Sequence, residues 1–565
     1  MKVVRVNMHD CTIEITASPK EWKRLGGRAL ISKIMLDEVD PVSNPLGPNN
    51  KLIIAPGILG GTTVSCVNRI SIGAKSPLTD TIKESNAGGV TGYKLARLGI
   101  KAIIVENLPK EKSFKNLYIS ENEISLIDAE EYKNMGVYVT AEKLKEKYNT
   151  KVGLVINGPA GERLYRNSGI ANADKDGVPS RYSGRGGLGA VMGSKGLKAI
   201  IIDDSNATGI EIKNDTLFKE TRSIISKTII ENEATNNTYK KYGTAIVVNL
   251  TNSLGALPTR NFSTGYFEGA EDINGEKLYE LITKRKGDPS HACMPGCLIK
   301  CSNIFPDENG DVIVSPLEYE TIGLMGSNLG IDNLDLIGKL NYICNDLGLD
   351  TIEAGGTIGV AMEAGVIDFG DEDGVLRLLD EIRKDTYLGK IIASGASIAG
   401  KVLGVRRIPV VKDQALAAYD PRAIKGLGVT YATSNMGADH TTGSTLRSPV
   451  DHRSPDNQVE ATRKSKINST IHDCMGTCLF MGMGIKGDIA LLADLYSAMI
   501  GESYKTEDII NVVKETLLRE REFNRRAGFT VAHDRLPEFF YTEVNPATDT
   551  VFDVRQEEIN TLFEF

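Results

Sequence analysis

Three cysteines, Cys293, Cys297 and Cys301, stand four residues apart in the stretch His291 to Asn303, and a fourth, Cys478, lies far along the chain. Thiolates this close on one loop do not easily bridge one another, but they can wrap around a shared metal centre. A run of three with a distant fourth is a usual way to hold an iron–sulfur cluster. The expected chemistry is therefore electron transfer. A structural zinc site would account for the same four thiols, but it leaves the glycine clusters of the chain without a purpose.

Those clusters are the second chemical signal. Ser183 to Lys195 contains Gly184-Arg185-Gly186-Gly187-Leu188-Gly189, and a backbone this rich in glycine is made to approach something bulky or anionic. It is no Walker loop. It fits G-x-G-x-x-G as a string, yet no acidic residue ends a second parallel strand about 20 residues on, so a dinucleotide fold is not supported. Ser85-Asn86-Ala87-Gly88-Gly89 precedes a predicted helix, where backbone N–H groups could meet a phosphate; a plain strand-to-helix turn explains it as readily. Asn345 to Asp350 and Asp473 to Cys478 share the form polar-x-x-Gly-x-polar. Two helix ends that each use glycine are the simpler explanation of that echo.

Composition bounds what these residues can serve. The chain has 565 residues, 41% apolar and 25% charged, with 57 glycines and one Trp. That length suggests two to four domains. A net charge of −8 argues against nucleic acid or an anionic membrane surface as partner. No apolar run approaches the roughly 18–20 residues that span a bilayer, so no membrane insertion is expected. Residues 1–10 lack the apolar core of a signal peptide. Eight cysteines then read as thiols and ligands in a reducing cytoplasm. Cys11, Cys66 and Cys344 are expected to be buried and structural, and Cys474 to be an extra thiol near the cluster.

The elements that position these residues divide in two. Alternation at Val3–Asn7 and Cys11–Ile15 predicts a hairpin, and strands follow at 52–57, 102–105, 117–119, 152–156 and 198–202. A boundary is expected near Asp204–Gly209. Beyond it the pattern turns helical, at Leu217–Glu231, at Leu278–Lys286 and at Leu334–Leu347. Gly348 stands at a C-cap position, and Asp350 with Glu353 forms a capping-box pattern for the next helix. Further helices fill 459–526.

Taken together, Arg69 with Lys75-Ser76-Pro77-Leu78-Thr79, Asn86 to Gly89, Gly184 to Lys195, the cysteine loop, the two glycine loops, Tyr419-Asp420-Pro421-Arg422 and Gly437-Ala438-Asp439-His440 resemble the aldehyde:ferredoxin oxidoreductase family. Its members are tungsten or molybdenum enzymes with a bis-pterin cofactor and one 4Fe–4S cluster. The resemblance covers essentially the whole chain. It implies an α+β fold: a β-rich pterin-binding domain with pseudo-symmetric sheets at 1–209, then two mainly helical domains. Residues 210–405 would carry the three-cysteine loop and the first pterin loop, and 406–565 the second pterin loop and the fourth cysteine.

Carried over, the resemblance makes Cys293, Cys297, Cys301 and Cys478 the cluster ligands and puts Arg69 between cluster and pterin. Backbone carbonyls of Asn86 and Ser183 would bind the Mg²⁺ that joins the pterin phosphates, beside Gly88, Gly184, Arg185 and Gly186. Asn345, Leu349 and Asp350 would hold one pterin, and Asp473 and Thr477 the other. Glu320 and His440 would be catalytic. A carboxylate can activate water and an imidazole can donate to a carbonyl oxygen as charge develops; without the resemblance, each is more commonly a capping or backbone-bonded residue.

The implied activity is oxidation of an aldehyde to an acid, with electrons leaving to ferredoxin or an iron–sulfur subunit. Oxidation of a 2-hydroxy acid to a 2-oxo acid is the alternative with the same cofactor, and a non-catalytic electron carrier is the alternative of another class. The chain departs from the family's archetype in several places. Its cysteine spacing is C-x3-C-x3-C where the archetype has C-x2-C-x3-C. Asn345 stands for an Asp and Thr477 for a Leu. Lys339 and Arg377 replace ligands of an iron that bridges subunits, so that iron is expected to be absent and a homodimer is left open.

Overall fold

The computed structural model describes residues 1–565. The hairpin predicted at the start is present as β1 (Lys2–Asn7) and β2 (Thr12–Ala17). With β3 (Leu52–Pro56), β4 (Ile70–Lys75), β5 (Ile82–Ala87) and β6 (Ile100–Glu106) it forms a sheet of order β2-β1-β6-β3-β4-β5. The strands β7 (Lys115–Ile119), β8 (Ile124–Asp128), β9 (Gly153–Asn157), β10 (Ile170–Asn172), β11 (Arg181–Ser183) and β12 (Leu197–Ile202) repeat that order as β8-β7-β12-β9-β10-β11. The repetition extends to detail. In each sheet one pairing is parallel, β1 with β6 and β7 with β12, and in each that pairing slips by one residue at a buried lysine, Lys101 or Lys198. The pseudo-symmetry expected of this region is a property of the backbone.

The apolar runs that mark these strands follow from burial on both faces. Val4, Ile54 and Ile103 of the first sheet pack against Leu117, Val155 and Ile200 of the second. The alternate residues Ile53, Ala102 and Ile104 turn the other way, into a core with the helix Gly27–Glu38. Leu154, Ile156 and Ile201 likewise pack under the helix Val137–Lys147.

The helix Leu334–Leu347 occupies its expected span and ends in Gly348 at φ 79°. Asp350 caps the following helix, Thr351–Glu363, by accepting from the Ile352 N–H at 3.0 Å. Glu353 does not complete a capping box. It is fully buried and turned inward, where the N–H groups of Ala396 and Ala415 each donate to it at 2.9 Å. The two helical cores exchange segments. Residues 218–239 share a core with 471–523, whereas 536–562 join the core built by 245–446. No helix is long and apolar enough to cross a membrane.

The helical region carries the two-fold repeat too. The helix Gln458–Met475 ends in Gly476 at φ 78°, packed on Gly57 just past β3. Gly348 packs in the same way on Gly158, just past β9. Around the first, Arg69 N–H donates to Gly476 O at 3.0 Å and Cys478 N–H to Cys66 O at 2.8 Å. Around the second, Gly169 N–H donates to Gly348 O and Asp350 N–H to Asn167 O, both at 2.9 Å. The echo between the two loops is therefore structural, and the simpler explanation in terms of two unrelated helix ends is wrong. Six residues could not reveal that both ends dock on equivalent glycines.

A Cβ at Gly57 would lie 2.2 Å from Gly476 Cα, and one at Gly158 would lie 2.8 Å from Gly348 Cα. Gly57→Ala and Gly158→Ala are each expected to cost about 1–3 kcal/mol, read as a lower thermal midpoint of the apoprotein.

Candidate functional site

The two docked loops, the strand ends after β5 and β11 and the cysteine loop enclose a central cavity of about 440 Å³. Of the residues singled out by sequence, Arg69, Asn86, Gly88, Gly184, Arg185, Asn345, Leu349, Asp350, Asp473 and Thr477 line it, with Cys293, Cys301, Cys478, Glu320 and His440. Ser183, Gly186 and Cys297 lie just behind the wall. Ser183 is fully buried beside Asn172, and Gly186 O accepts from the Ser76 hydroxyl at 2.7 Å.

The thiols gather at one end. Its hydrogen bond with Cys297 and then burial push Cys293 well above the ordinary thiol range. Burial, then the neighbouring Cys478, Cys293 and Cys297, do the same to Cys301. A metal centre would supply the positive charge that this cluster of thiols lacks. Gly88 is part of the same corner, since a Cβ there would meet Cys293 Sγ at 3.3 Å and Arg69 Nη1 at 3.7 Å. Arg69 donates through Nε to Asn86 Oδ1 and through Nη2 to the Asn86 carbonyl at 3.2 Å.

Two expectations about the remaining cysteines fail. Cys11 is exposed, because the tight β1–β2 turn holds it at φ 54° away from any core. Cys474 turns toward the Gly27–Glu38 helix, among Arg28, Asp473 and Glu520. The extra thiol beside the cluster set is Cys66, whose Sγ lies 3.7 Å from that of Cys297.

The opposite walls are polar and charged. Arg185 donates to Asp350 Oδ2 at 3.2 Å, to Ala438 O at 2.7 Å and to Ala415 O at 2.6 Å. It thus ties one glycine loop to the segment that carries His440. On the other side Asp473 meets Arg28 at 3.2 Å, and Arg28 grips Glu520 through two hydrogen bonds of 2.7 and 2.9 Å. Asn345 donates to Tyr138 Oη at 3.2 Å, and its carbonyl accepts from the Tyr182 hydroxyl.

Glu320 and His440 meet where this cavity joins a second one of about 560 Å³. His440 Nε2 lies 3.3 Å from Glu320 Oε1, while Glu320 Oε2 accepts from the Ala418 N–H at 2.9 Å. One carboxylate oxygen is thus held and the other is presented to the junction. Asp439, next to His440, is buried, but Lys83 and Arg185 outweigh that burial and hold it well below the usual carboxylate range. Lys83 contacts it at 3.0 Å.

Several residues of the wall escaped sequence reasoning. Glu84 is buried, and burial followed by Asp473 pushes its carboxyl up to about 8. His472 is driven down to about 4 by burial and bonds Thr477 Oγ1 at 2.6 Å, so Thr477 has a polar partner that a Leu would lack. Arg181 bonds Ser302 at 2.5 Å beside the cysteine loop. Buried atoms without a protein partner, Glu84 Oε1, Glu320 Oε1, Ser180 Oγ and Arg181 Nε, belong to residues of this wall. They suit a large polar ligand that offers donors and acceptors.

Comparison with known proteins finds similar chains over the full length. A family model described as the aldehyde ferredoxin oxidoreductase N-terminal domain matches residues 3–204, and one described as domains 2 and 3 of the same protein matches 220–563. The chain is 33% identical to the tungsten-containing aldehyde ferredoxin oxidoreductases of Thermococcus kodakarensis and Pyrococcus furiosus, covering 96% of this chain and 92% of each relative. It is 28% identical to the WOR-like subunit of an aliphatic sulfonate oxidoreductase of Pyrococcus furiosus, over 75% of this chain and 72% of that one. Among solved structures, the BamBC active-site complex of benzoyl coenzyme A reductase superposes with a TM-score of 0.82 at 19% identity, covering 100% of this chain and 93% of that one. The last likeness shows the fold.

A carboxyl raised by folding stabilises the protein below its unfolded value of 4.5, and that contribution is lost as pH climbs through about 8. The thermal midpoint of the apoprotein is expected to fall across that window. Glu84→Gln should flatten the slope, as followed by thermal unfolding at a series of pH values.

Proposed function

We infer the activity from one premise: this chain belongs to the aldehyde ferredoxin oxidoreductase family. It is an oxidoreductase. We propose that it oxidises an aldehyde to the carboxylic acid, using tungsten or molybdenum held by two pterins. Electrons would leave through one 4Fe–4S cluster to a ferredoxin or an iron–sulfur subunit. The observation that carries this reading is the Glu320–His440 pair, a carboxylate and an imidazole 3.3 Å apart that line both cavities.

The residues present fit the cofactors. Cys293, Cys297, Cys301 and Cys478 would hold the cluster, and Arg69 would lie between it and the pterins. Asn345, Leu349 and Asp350 would hold one pterin and Asp473 and Thr477 the other, with Mg²⁺ taken by the carbonyls of Asn86 and Ser183, since a hard ion prefers oxygen. Bound there, the metal–pterin would accept two electrons and the cluster would release them one at a time. Eight unpaired cysteines suit a reducing cytoplasm, where such ligands stay available.

The chain's own residues supply the proton chemistry. Oxidation of an aldehyde adds one oxygen from water and releases two protons and two electrons. Glu320 Oε1, free of other partners, takes a proton from water. His440 Nε2 donates to the carbonyl oxygen as charge develops on it. The Ala418 N–H holds Glu320 in place, and Lys83 with Asp439 anchors the segment beside His440.

Elemental analysis of anaerobically purified protein is expected to find about four irons with one tungsten or molybdenum per chain. Iron without either heavy metal would favour an electron carrier. Glu320→Gln is expected to lower kcat for aldehyde-dependent dye reduction by about 10²–10⁴-fold with metal content unchanged. Intact turnover would remove Glu320 from the reaction. Dye reduction by 2-hydroxy acids in place of aldehydes would select the alternative substrate class.

A further inference from the structure

The cavity that opens from Glu320 and His440 away from the thiols has a distinctive wall. Tyr239, Val247, Leu446, Phe480 and Met483 make much of it apolar. Its carboxylates are Glu318 and Glu320, and both have cationic or imidazole neighbours, Arg181 at 3.6 Å and His440 at 3.3 Å. Two cations, Arg447 and Lys486, line the same cavity and are exposed to water, and neither faces a carboxylate there.

Arg447 is held in place. It donates to Tyr239 Oη at 2.6 Å, and its guanidinium lies over the Tyr239 ring, 5.3 Å from the centroid. Tyr239 in turn packs against Phe480 with ring centroids 4.5 Å apart. One hydroxyl uses only part of the five-donor fork of a guanidinium, and the rest matches a planar anion. In a chain of net charge −8, two cations left without carboxylate partners on the wall of a reaction cavity are a selective feature.

We propose that this cavity takes aldehydes that end in an anionic group, with the carbonyl at Glu320 and His440, the carbon chain along the apolar wall and the anion at Arg447 and Lys486. The preferred substrates are then ω-oxo carboxylates, and the product of each is a dicarboxylate. The proposal rests on the reading of Glu320 and His440 as the reacting pair. Arg447 and Lys486 determine specificity and touch no reacting atom.

The test uses the anaerobically purified holoenzyme. It compares straight-chain ω-oxo carboxylates with methyl-ended aldehydes of the same length in dye reduction. A preference of about tenfold or more in kcat/KM for the anionic series is expected, expressed in KM, and it should shrink as ionic strength rises. Arg447→Met is expected to bring the ratio between the two series toward one. Lys486→Met should lower it in part, and that exposed side chain gives a second variant should loss of the Tyr239 contact disturb folding. Calorimetric titration with the matching dicarboxylate reads the subsite without turnover. Dicarboxylate binding that Arg447→Met weakens, in protein that oxidises no aldehyde, would uphold the anion subsite and overturn the activity. Equal oxidation of both series with no dicarboxylate binding would overturn the subsite and leave the activity standing.

Discussion

Two helix ends resting on two strand ends, backbone against backbone, set the geometry on which the rest depends. Gly476 on Gly57 and Gly348 on Gly158 bring main chains so close that no side chain fits between them. Both helix-end glycines also have φ near 80°, which L side chains adopt only with strain. At each contact the loop that follows the helix is sewn to the sheet domain by a matching pair of backbone hydrogen bonds. The cavity exists because these two joints fix how far apart the loops lie.

Symmetry of the frame makes the asymmetry of the contents informative. Where one loop ends in Cys478 the other has Asp350, and where one strand begins after Arg69 the other begins after Gly169. One side of an almost two-fold cradle thus carries thiols and a guanidinium, the set that the proposed cluster would need. The other pairs Asp350 with Arg185 and reaches toward His440.

The cradle is also costly. Arg28, Glu520, Arg185, Asp350, Lys83 and Asp439 are charged side chains removed from water, with Asp473 half-buried beside them, and a buried ion pair seldom recovers its full desolvation penalty. What these pairs contribute is position. Fixed dipoles and charges in a dry site act on developing charge without having to reorient, and each pair links a segment of the sheet domain or a distant helix to a loop of the wall. Glu84 keeps one buried oxygen without a partner among the protein's own groups.

Much of this was written in the sequence, and the reason is local. Cysteine spacing, glycine at helix ends, apolar runs in strands buried on both faces and the helix at 334–347 are each decided within a few residues. They point to the candidate thiols and the element types, whereas the cradle-lining residues are legible only through the family resemblance. Other features arise from residues far apart in the chain, and no local pattern carries them. Cys66 reads as a structural thiol and Cys474 as the one beside the cluster set, yet it is Cys66 that lies 3.7 Å from Cys297. Glu84, His472 and Arg181 look ordinary in a strand or a helix until folding turns them into one cavity. Glu353 reads as half of a capping box, yet the N–H groups of Ala396 at a helix start and Ala415 in a short strand claim it. The sequence by itself determined which chemical groups are present and which elements carry them. Only the tertiary structure decided which of those groups face one another, because desolvation and ion pairing depend on distances across the fold.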